Sequence, residues 1–157
     1  MARLLRLSLA GLAVLLASCG LPRDPEGTSE RIAATHELRV GVTDNGEWVD
    51  ASGAEPRGIE PDLVRQFAAR IGAKILWSRG SETSLAQALK HHELDIAMGG
   101  FDTKTPWKSI AGTTQPFAET RDRKKHIFLT APGENRFILT LDTFLTEHMR
   151  ASKGGAA

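Results

Sequence analysis

The sequence of 157 residues contains a single cysteine and no tyrosine. One cysteine excludes a disulfide framework, and it excludes a zinc site built from paired cysteines. Twenty basic residues stand against nineteen acidic ones, which gives a formal net charge of +1. This balance excludes the basic footprint of a nucleic-acid-binding domain and the self-repulsion of an acidic disordered chain. With 41% hydrophobic residues, the composition is typical of one globular domain.

Motifs for catalysis or nucleotide binding are also missing. The sequence has no nucleophile elbow, no P-loop and no dinucleotide fingerprint, which predicts that the chain is not an enzyme and uses no cofactor. His91 and His92 are adjacent, and adjacent residues of a helix point about 100° apart, so they cannot share one metal ion. We therefore expect no metal site.

The N-terminus has the composition of a bacterial export signal. Arg3 and Arg6 are the only charges in the first eighteen residues, and an apolar run follows them. The run is shorter than the roughly 20 residues that cross a bilayer, which predicts a signal peptide over residues 1–18 rather than a membrane span. Cys19 directly follows Leu-Ala-Ser, and this arrangement resembles the lipobox of bacterial lipoproteins. The resemblance implies that Cys19 is lipidated and anchors the protein in the cell envelope, on the periplasmic side. An ordinary secretory signal with an incidental thiol is the alternative.

The remainder of the chain divides into three parts by composition. Residues 19–35 are rich in proline, glycine and charge without apolar periodicity, which predicts a flexible tether behind Cys19. Residues 36–150 carry the periodic patterns of one folded domain of common size. Residues 151–157 are predicted to be a flexible tail.

Short strands alternate with helices in the predicted domain. Apolar alternation and apolar runs predict strands over residues 38–42, 73–77, 94–98 and 125–130. Three-and-four spacing predicts helices from Pro61 to Gly72, after an N-cap at Ser84, and after Pro132. This order predicts an α/β fold with a single doubly wound, mostly parallel sheet. Ligands on such sheets bind beyond the carboxyl ends of the strands.

Several segments, in this order, resemble the bacterial extracellular solute-binding proteins of family 3, which supply ABC transporters with polar amino acids. The matching segments are residues 38–42, 58–63, 86–95, 99–101 and 115–117. Members of the family have two lobes. Here the charged segment 118–124 runs directly into residues that resemble the family's final strand and closing helix. The resemblance therefore implies one lobe of a type II periplasmic binding protein.

The resemblance also implies a binding site after the first and third strands. The family binds a ligand carboxylate with an arginine a few residues after the third strand, but this sequence has Pro106 and Trp107 there, with Lys108 as the nearest cation. A retained pocket would therefore favour an amine or another cation. Glycines after the third strand would leave N–H groups free for ligand oxygens.

The residues predicted to bind ligand on this basis are carboxylates, aromatics, glycines and one lysine. They are Asp44, Trp48, Glu60, Gly99, Gly100, Phe101, Asp102, Trp107 and Lys108. The tryptophans would add cation–π contacts. Each residue also has a structural interpretation, since the aspartates suit turns, the tryptophans can cover a core edge, the glycines can make a turn, and Glu60 can cap a helix.

Three functions remain open from the sequence. The resemblance implies an envelope lipoprotein similar to the substrate-binding component of a polar amino acid ABC transporter, which binds a small polar or cationic solute. The alternative is an interaction module without transport, which docks a membrane partner such as an ABC permease or forms a homodimer. A catalytic role, found in relatives such as a dehydratase and cell-wall lytic enzymes, would need a buried carboxylate with a perturbed pKa. Asp95 and Asp102 are the candidates for that role.

Overall fold

A computed structural model of the chain describes residues 23–154, and the predicted signal peptide and lipidated Cys19 lie outside these residues. The strands are β1 (Glu37–Val42), β2 (Lys74–Arg79), β3 (Ile96–Met98), β4 (Gly112–Thr113), β5 (Ala118–Glu119), β6 (Lys125–His126) and β7 (Leu129–Thr130). The centre of the fold is a five-stranded sheet in the order β2-β1-β3-β7-β4, beside a two-stranded sheet of β5 and β6. The helices are α1 (Thr28–Thr35), α2 (Ile59–Arg70), α3 (Glu82–Lys90) and α4 (Asn135–Gly154), with a 3-10 turn at Pro106–Ser109.

The central sheet is mostly parallel. Strand β1 pairs in parallel with β2 along its whole length, from Glu37 opposite Lys74 to Val42 opposite Arg79. On its other side β1 pairs in parallel with β3, and β7 lies antiparallel between β3 and β4. The predicted fold class, an α/β sheet that resembles one lobe of a type II periplasmic binding protein, is confirmed.

Each face of the sheet carries its own apolar core. Leu38, Val40 and Val42 alternate along β1 and are fully buried on the face that α2 and α4 cover. Gly41 points to the other face, where a Cβ atom would lie 2.6 Å from Leu94 Cδ1. The glycine therefore lets α3 and the segment before β3 pack close to the sheet, and helices cover both faces.

The segment predicted to be a tether is folded from Asp24 onward. Its helix α1 packs on the main core through Ile32, which is 4% exposed. The Asp24 carboxylate caps α4, accepting hydrogen bonds from the N–H groups of Arg136 (2.8 Å) and Phe137 (3.0 Å). The tether prediction over residues 19–35 is therefore wrong for this part, and the domain begins near Asp24 rather than at His36.

A second carboxylate completes this junction. Glu134, fully buried, accepts hydrogen bonds from the N–H groups of Glu26 (2.9 Å) and Thr28 (2.8 Å) at the start of α1. Each of the two helix N-termini is thus capped by a carboxylate that lies more than a hundred residues away in sequence. Local composition could not show this pairing, because both partners are needed to see it.

Besides shifts of one or two residues at the ends of other elements, three further boundaries differ from the sequence predictions. The predicted strand over residues 125–130 is divided into β6 and β7, because Ile127 and Phe128 turn inward and bond to Phe101 and Thr114 instead. Ser81, not Ser84, is the N-cap of α3, where its side chain accepts the Ser84 N–H. Helix α4 continues through residues 151–154, which were predicted to be a flexible tail, while residues 155–157 lie outside the described part. Within residues 23–154, no helix is both long and apolar enough to span a bilayer.

Candidate functional site

An open cleft of about 790 Å³ lies at the carboxyl ends of β1 and β3. The loop after β1 forms one wall, the loop after β3 forms a second, and the β5–β6 hairpin closes the third side. The lining residues are Asn45, Glu47, Trp48, Ile59, Gly100, Asp102, Glu119, Thr120, Arg121, Asp122, Lys124 and His126. This is the place that the strand order predicts for a ligand.

Carboxylates outnumber cations in the cleft lining. Glu47, Asp102, Glu119 and Asp122 are opposed by Arg121 and Lys124. The Lys124 ammonium lies 3.7 Å from a carboxylate oxygen of Asp122, so one of the two cations is already paired. The field of this lining favours a positively charged ligand.

An aromatic stack supports the floor of the cleft. The Trp48 indole lies against the His126 imidazole with ring centroids 3.6 Å apart and planes 17° from parallel. The Phe117 ring meets the edge of Trp48 at 6.4 Å. Trp48 is 8% exposed, and this remaining surface lies in the cleft lining. The stack holds the indole in one position.

Glu60 is buried directly behind the cleft wall. Its Oε2 accepts hydrogen bonds from the N–H groups of Gly99 (2.9 Å) and Gly100 (3.1 Å), the two residues after β3. The side chain is fully buried, and burial raises the pKa of Glu60 to about 7, although the two hydrogen bonds act in the opposite direction. The loop after β3 is thus held by a carboxylate from the first turn of α2.

The second Glu60 oxygen faces the histidine of the aromatic stack. Glu60 Oε1 lies 3.9 Å from His126 Nδ1, and in the described part of the chain neither atom has a hydrogen-bond partner. Burial lowers the pKa of His126, while the nearby Asp102 carboxylate acts in the opposite direction. Both shifts favour the uncharged forms, so near neutral pH the His126 imidazole is neutral and Glu60 exchanges between its protonated and ionised forms.

Three of the residues predicted to bind ligand line the cleft, namely Trp48, Gly100 and Asp102. Asp44 instead accepts the Ala51 N–H (2.9 Å) in a neighbouring hollow. The N–H groups of Gly99 and Gly100 were expected to be free, but Glu60 occupies both. That expectation is wrong because the glutamate side chain turns inward rather than toward solvent.

The other predicted residues lie outside the lining. Phe101 packs in the apolar core beneath α3. The Trp107 indole N–H donates to Glu82 (3.2 Å), and the Lys108 ammonium donates to the Thr103 carbonyl. Asp95 was considered as a catalytic carboxylate, but Arg31 and Arg39 bind it from two sides at the far end of β3.

Sequence reasoning overlooked the hairpin that closes the cleft. The composition of residues 118–124 predicts only a charged turn, yet Glu119, Arg121 and Lys124 line the site. His126 was also missed. The available signal was a histidine within an apolar strand next to a charged turn, which is an unusual position for an imidazole. Among the described residues, no group of three side chains is arranged to hold a metal ion.

Residues 38–124 match the sequence pattern of the bacterial extracellular solute-binding proteins, family 3. The chain belongs to this family. It is 33% identical over 92 residues to a membrane-bound lytic murein transglycosylase F of Vibrio cholerae, and 32% identical over the same length to that of Vibrio campbellii. The match covers 57% of this chain and 17% of each relative, so the chain spans under a fifth of their length.

Solved structures share the fold at low sequence identity. The arginine-bound form of domain 1 from TmArgBP superimposes with a TM-score of 0.67 at 16% identity, covering 74% of this chain and 97% of that domain. The ancestral amino-acid-binding protein AncCDT-1 gives a TM-score of 0.68 at 13% identity, covering 78% of this chain and 93% of that structure. The resemblance to a single lobe is confirmed. Family membership fits a location in the bacterial envelope or periplasm.

Proposed function

We propose that this chain is a solute-binding protein whose single lobe binds a small polar or cationic solute in the cleft beyond β1 and β3. The observation that carries the proposal is the cleft itself, in which four carboxylates face two cations beside a fixed tryptophan. A solved relative of the same fold is the arginine-bound form of a single domain, which supports binding by one lobe alone.

Two side chains have the principal roles in this proposal. Trp48 stacks on His126 and is 8% exposed, so the small part of its ring that remains in the cleft lining would contact the cationic group. Asp102 supplies a carboxylate from the wall that the loop after β3 forms, and one of its oxygens already accepts the Lys104 N–H (2.6 Å). That bond fixes the orientation of the Asp102 carboxylate, which leaves its other oxygen for the ligand.

The same proposal extends to the biological setting. Lipidation of Cys19 would hold the protein in the envelope, where the bound solute would be delivered to an ABC permease. The chain itself would carry out no reaction. The murein transglycosylases that it matches are several times longer, so their activity gives no support for catalysis by this lobe.

Isothermal titration calorimetry on residues 20–157 tests the proposal, since this length keeps every described residue. We expect saturable binding of arginine or of a small amine, and at least tenfold weaker binding after Trp48→Ala or Asp102→Asn. Asp44→Asn is the matched control, because Asp44 lies in the neighbouring hollow and its loss should leave affinity unchanged. No heat of binding from folded protein with any amino acid or amine would refute solute binding.

A second candidate function rests on an apolar groove beside the cleft. Ile59, which is 47% exposed, lines it together with Leu63, Phe117 and Met149. An interaction module that docks a membrane partner or a second copy would use this surface. Light scattering on the same sample distinguishes the candidates, because a homodimer that dissociates on Ile59→Lys would favour docking, whereas a monomer that binds solute would not.

A further inference from the structure

The backbone donors best placed to hold a ligand anion are already occupied. Successive N–H groups in a turn can form a concavity that binds anions. Here those groups belong to Gly99 and Gly100, and both donate to Glu60 Oε2 (2.9 and 3.1 Å). Thr43 packs against Gly99 so tightly that a Cβ there would lie 2.1 Å from its methyl carbon. The loop is therefore held with its donors pointing inward.

Side-chain cations near the cleft are also largely engaged. The Lys108 ammonium donates to the Thr103 carbonyl, and Lys124 is paired with Asp122. Arg121, on the turn between β5 and β6, is the only cation of the lining without a bonded partner in the described part of the chain. Once the Lys124–Asp122 pair is set aside, three carboxylates and one guanidinium remain in the lining, so a ligand carboxylate would meet net repulsion.

A ligand carboxylate in this cleft would thus lose its water without gaining paired donors. That loss is costly for an ionised group, because its hydration must be replaced by hydrogen bonds or an opposite charge. A ligand ammonium or guanidinium meets the opposite situation, because an excess of carboxylates surrounds it. The arrangement selects between ligands by repulsion as well as by attraction.

We propose that the cleft binds organic cations without a carboxylate, namely amines and guanidinium compounds, and that Glu60, which accepts both the Gly99 and Gly100 N–H groups, keeps these donors from an anionic ligand. This inference rests on the proposed solute-binding function and specifies its ligand class. Glu60 is a positioning residue here, since it holds the Gly99–Gly100 loop and is itself buried away from the cleft.

Arginine and agmatine form the matched pair of probes, because they differ only by the carboxylate. In calorimetric titrations at pH 7.5 and constant ionic strength, we expect agmatine to bind at least tenfold more tightly than arginine. Arginine methyl ester keeps the bulk of arginine but lacks the negative charge, so it should bind more tightly than arginine, as agmatine does. Equal or tighter binding of arginine would overturn this inference and leave solute binding intact, whereas no binding of any probe would refute the proposed function itself.

Variants of Glu60 test its role separately. Glu60→Ala frees the two glycine N–H groups, so we expect the preference for agmatine over arginine to fall at least threefold. Glu60→Gln keeps an oxygen that can accept both N–H groups, so it should retain the preference and shows whether an effect of Glu60→Ala comes from the freed N–H groups or from the lost charge. Glu60→Val, which also lacks an acceptor, keeps the test decisive if the alanine variant does not fold. Glu37→Gln, at the amino end of β1 and outside the cleft lining, controls for a general loss of negative charge. An unchanged preference in a folded variant without the acceptor would contradict the role.

Discussion

A buried carboxylate lies at each end of strand β3, and the two differ in how completely their oxygens are hydrogen-bonded. At its amino end, Asp95 accepts hydrogen bonds from Arg31 (2.6 Å) and Arg39 (2.7 Å) and from the Arg39 backbone N–H (2.8 Å). At its carboxyl end, one oxygen of Glu60 accepts two N–H groups while the other has no partner in the described part of the chain. The first end is fully satisfied and serves stability, whereas the second retains unpaired polar atoms behind the cleft.

The largest loss of stability should follow replacement of Asp95, the fully hydrogen-bonded carboxylate at the amino end of β3. In Asp95→Asn the two guanidinium groups lose their counter-charge, and breaking a pair with a fully buried carboxylate costs about 3 kcal/mol of unfolding free energy. Urea denaturation at pH 7 measures this loss. Asp122→Asn removes an exposed carboxylate and should leave the midpoint unchanged. An equal urea midpoint for Asp95→Asn and the wild type would mean that the ion pairs of Asp95 do not stabilise the fold.

Glu60, whose second oxygen has no hydrogen-bond partner in the described part of the chain, should make the free energy of unfolding depend on pH. Because the pKa of Glu60 rises from 4.5 to about 7 on folding, its protonated form favours the folded state, and that stability is lost as pH rises from 4.5 to 7. Relative to Glu60→Gln, the wild type should lose about 2 kcal/mol between pH 5 and pH 8. The lowered pKa of His126 acts in the reverse sense, costing stability as pH falls below 6.5, but both proteins contain it.

Denaturation of both proteins at pH 5, 6, 7 and 8 gives the required difference. Glu119→Gln provides the control, since an exposed carboxylate should give a curve parallel to the wild type. If the Glu60→Gln curve were also parallel, Glu60 would ionise normally in the folded protein and the comparison between the two ends would lose its electrostatic basis.

A smaller effect is expected at the junction of α1 and α4. Asp24→Ala removes the cap of α4 and should cost about 1 kcal/mol, since a lost N-cap typically costs that much. Thermal unfolding followed by circular dichroism measures it, with Asp24→Asn as the variant that retains an acceptor. Identical melting of Asp24→Ala and the wild type would indicate that residues 23–35 are a tether in solution after all.

The smallest effect belongs to the exposed pair between Arg70 and Glu147, which joins α2 to α4. Both side chains are half exposed, so the pair is screened by water and salt. Arg70→Gln should leave the urea midpoint within error at any salt concentration. A clear loss would show that surface ion pairs, and not only the buried carboxylate of Asp95, hold the helices on the sheet.

Local patterns were sufficient for the central elements. Alternation in β1 and the apolar spacing of α2 appear directly in the sequence, because each depends on residues that are close together in the chain. The local sequence does not predict helix α1, because the helix buries only Thr28 and Ile32 and therefore has little apolar periodicity. Its cap comes from Glu134, far along the chain.

The candidate site was less predictable than the fold for the same reason. Trp48 and Asp102 could be placed in the cleft from strand order alone. Glu60 could not, since a glutamate in the first turn of a helix usually faces water, and its inward position depends on Gly99 and Gly100 from another part of the chain. The contribution of the β5–β6 hairpin likewise depends on a fold-back that periodicity does not reveal.

The contacts of the first described residues place the start of the domain at one end of the central sheet. Asp24 bonds to the beginning of α4, and Arg31 bonds to Asp95, so the first described residues lie at the pole of the sheet opposite the cleft. Four peptide links from Cys19 to Arg23 reach at most about 14 Å. A lipid on Cys19 would therefore keep the pole opposite the cleft within about 14 Å of the bilayer, and the lobe would have to tilt on this short connection for its cleft to reach a permease in the same membrane.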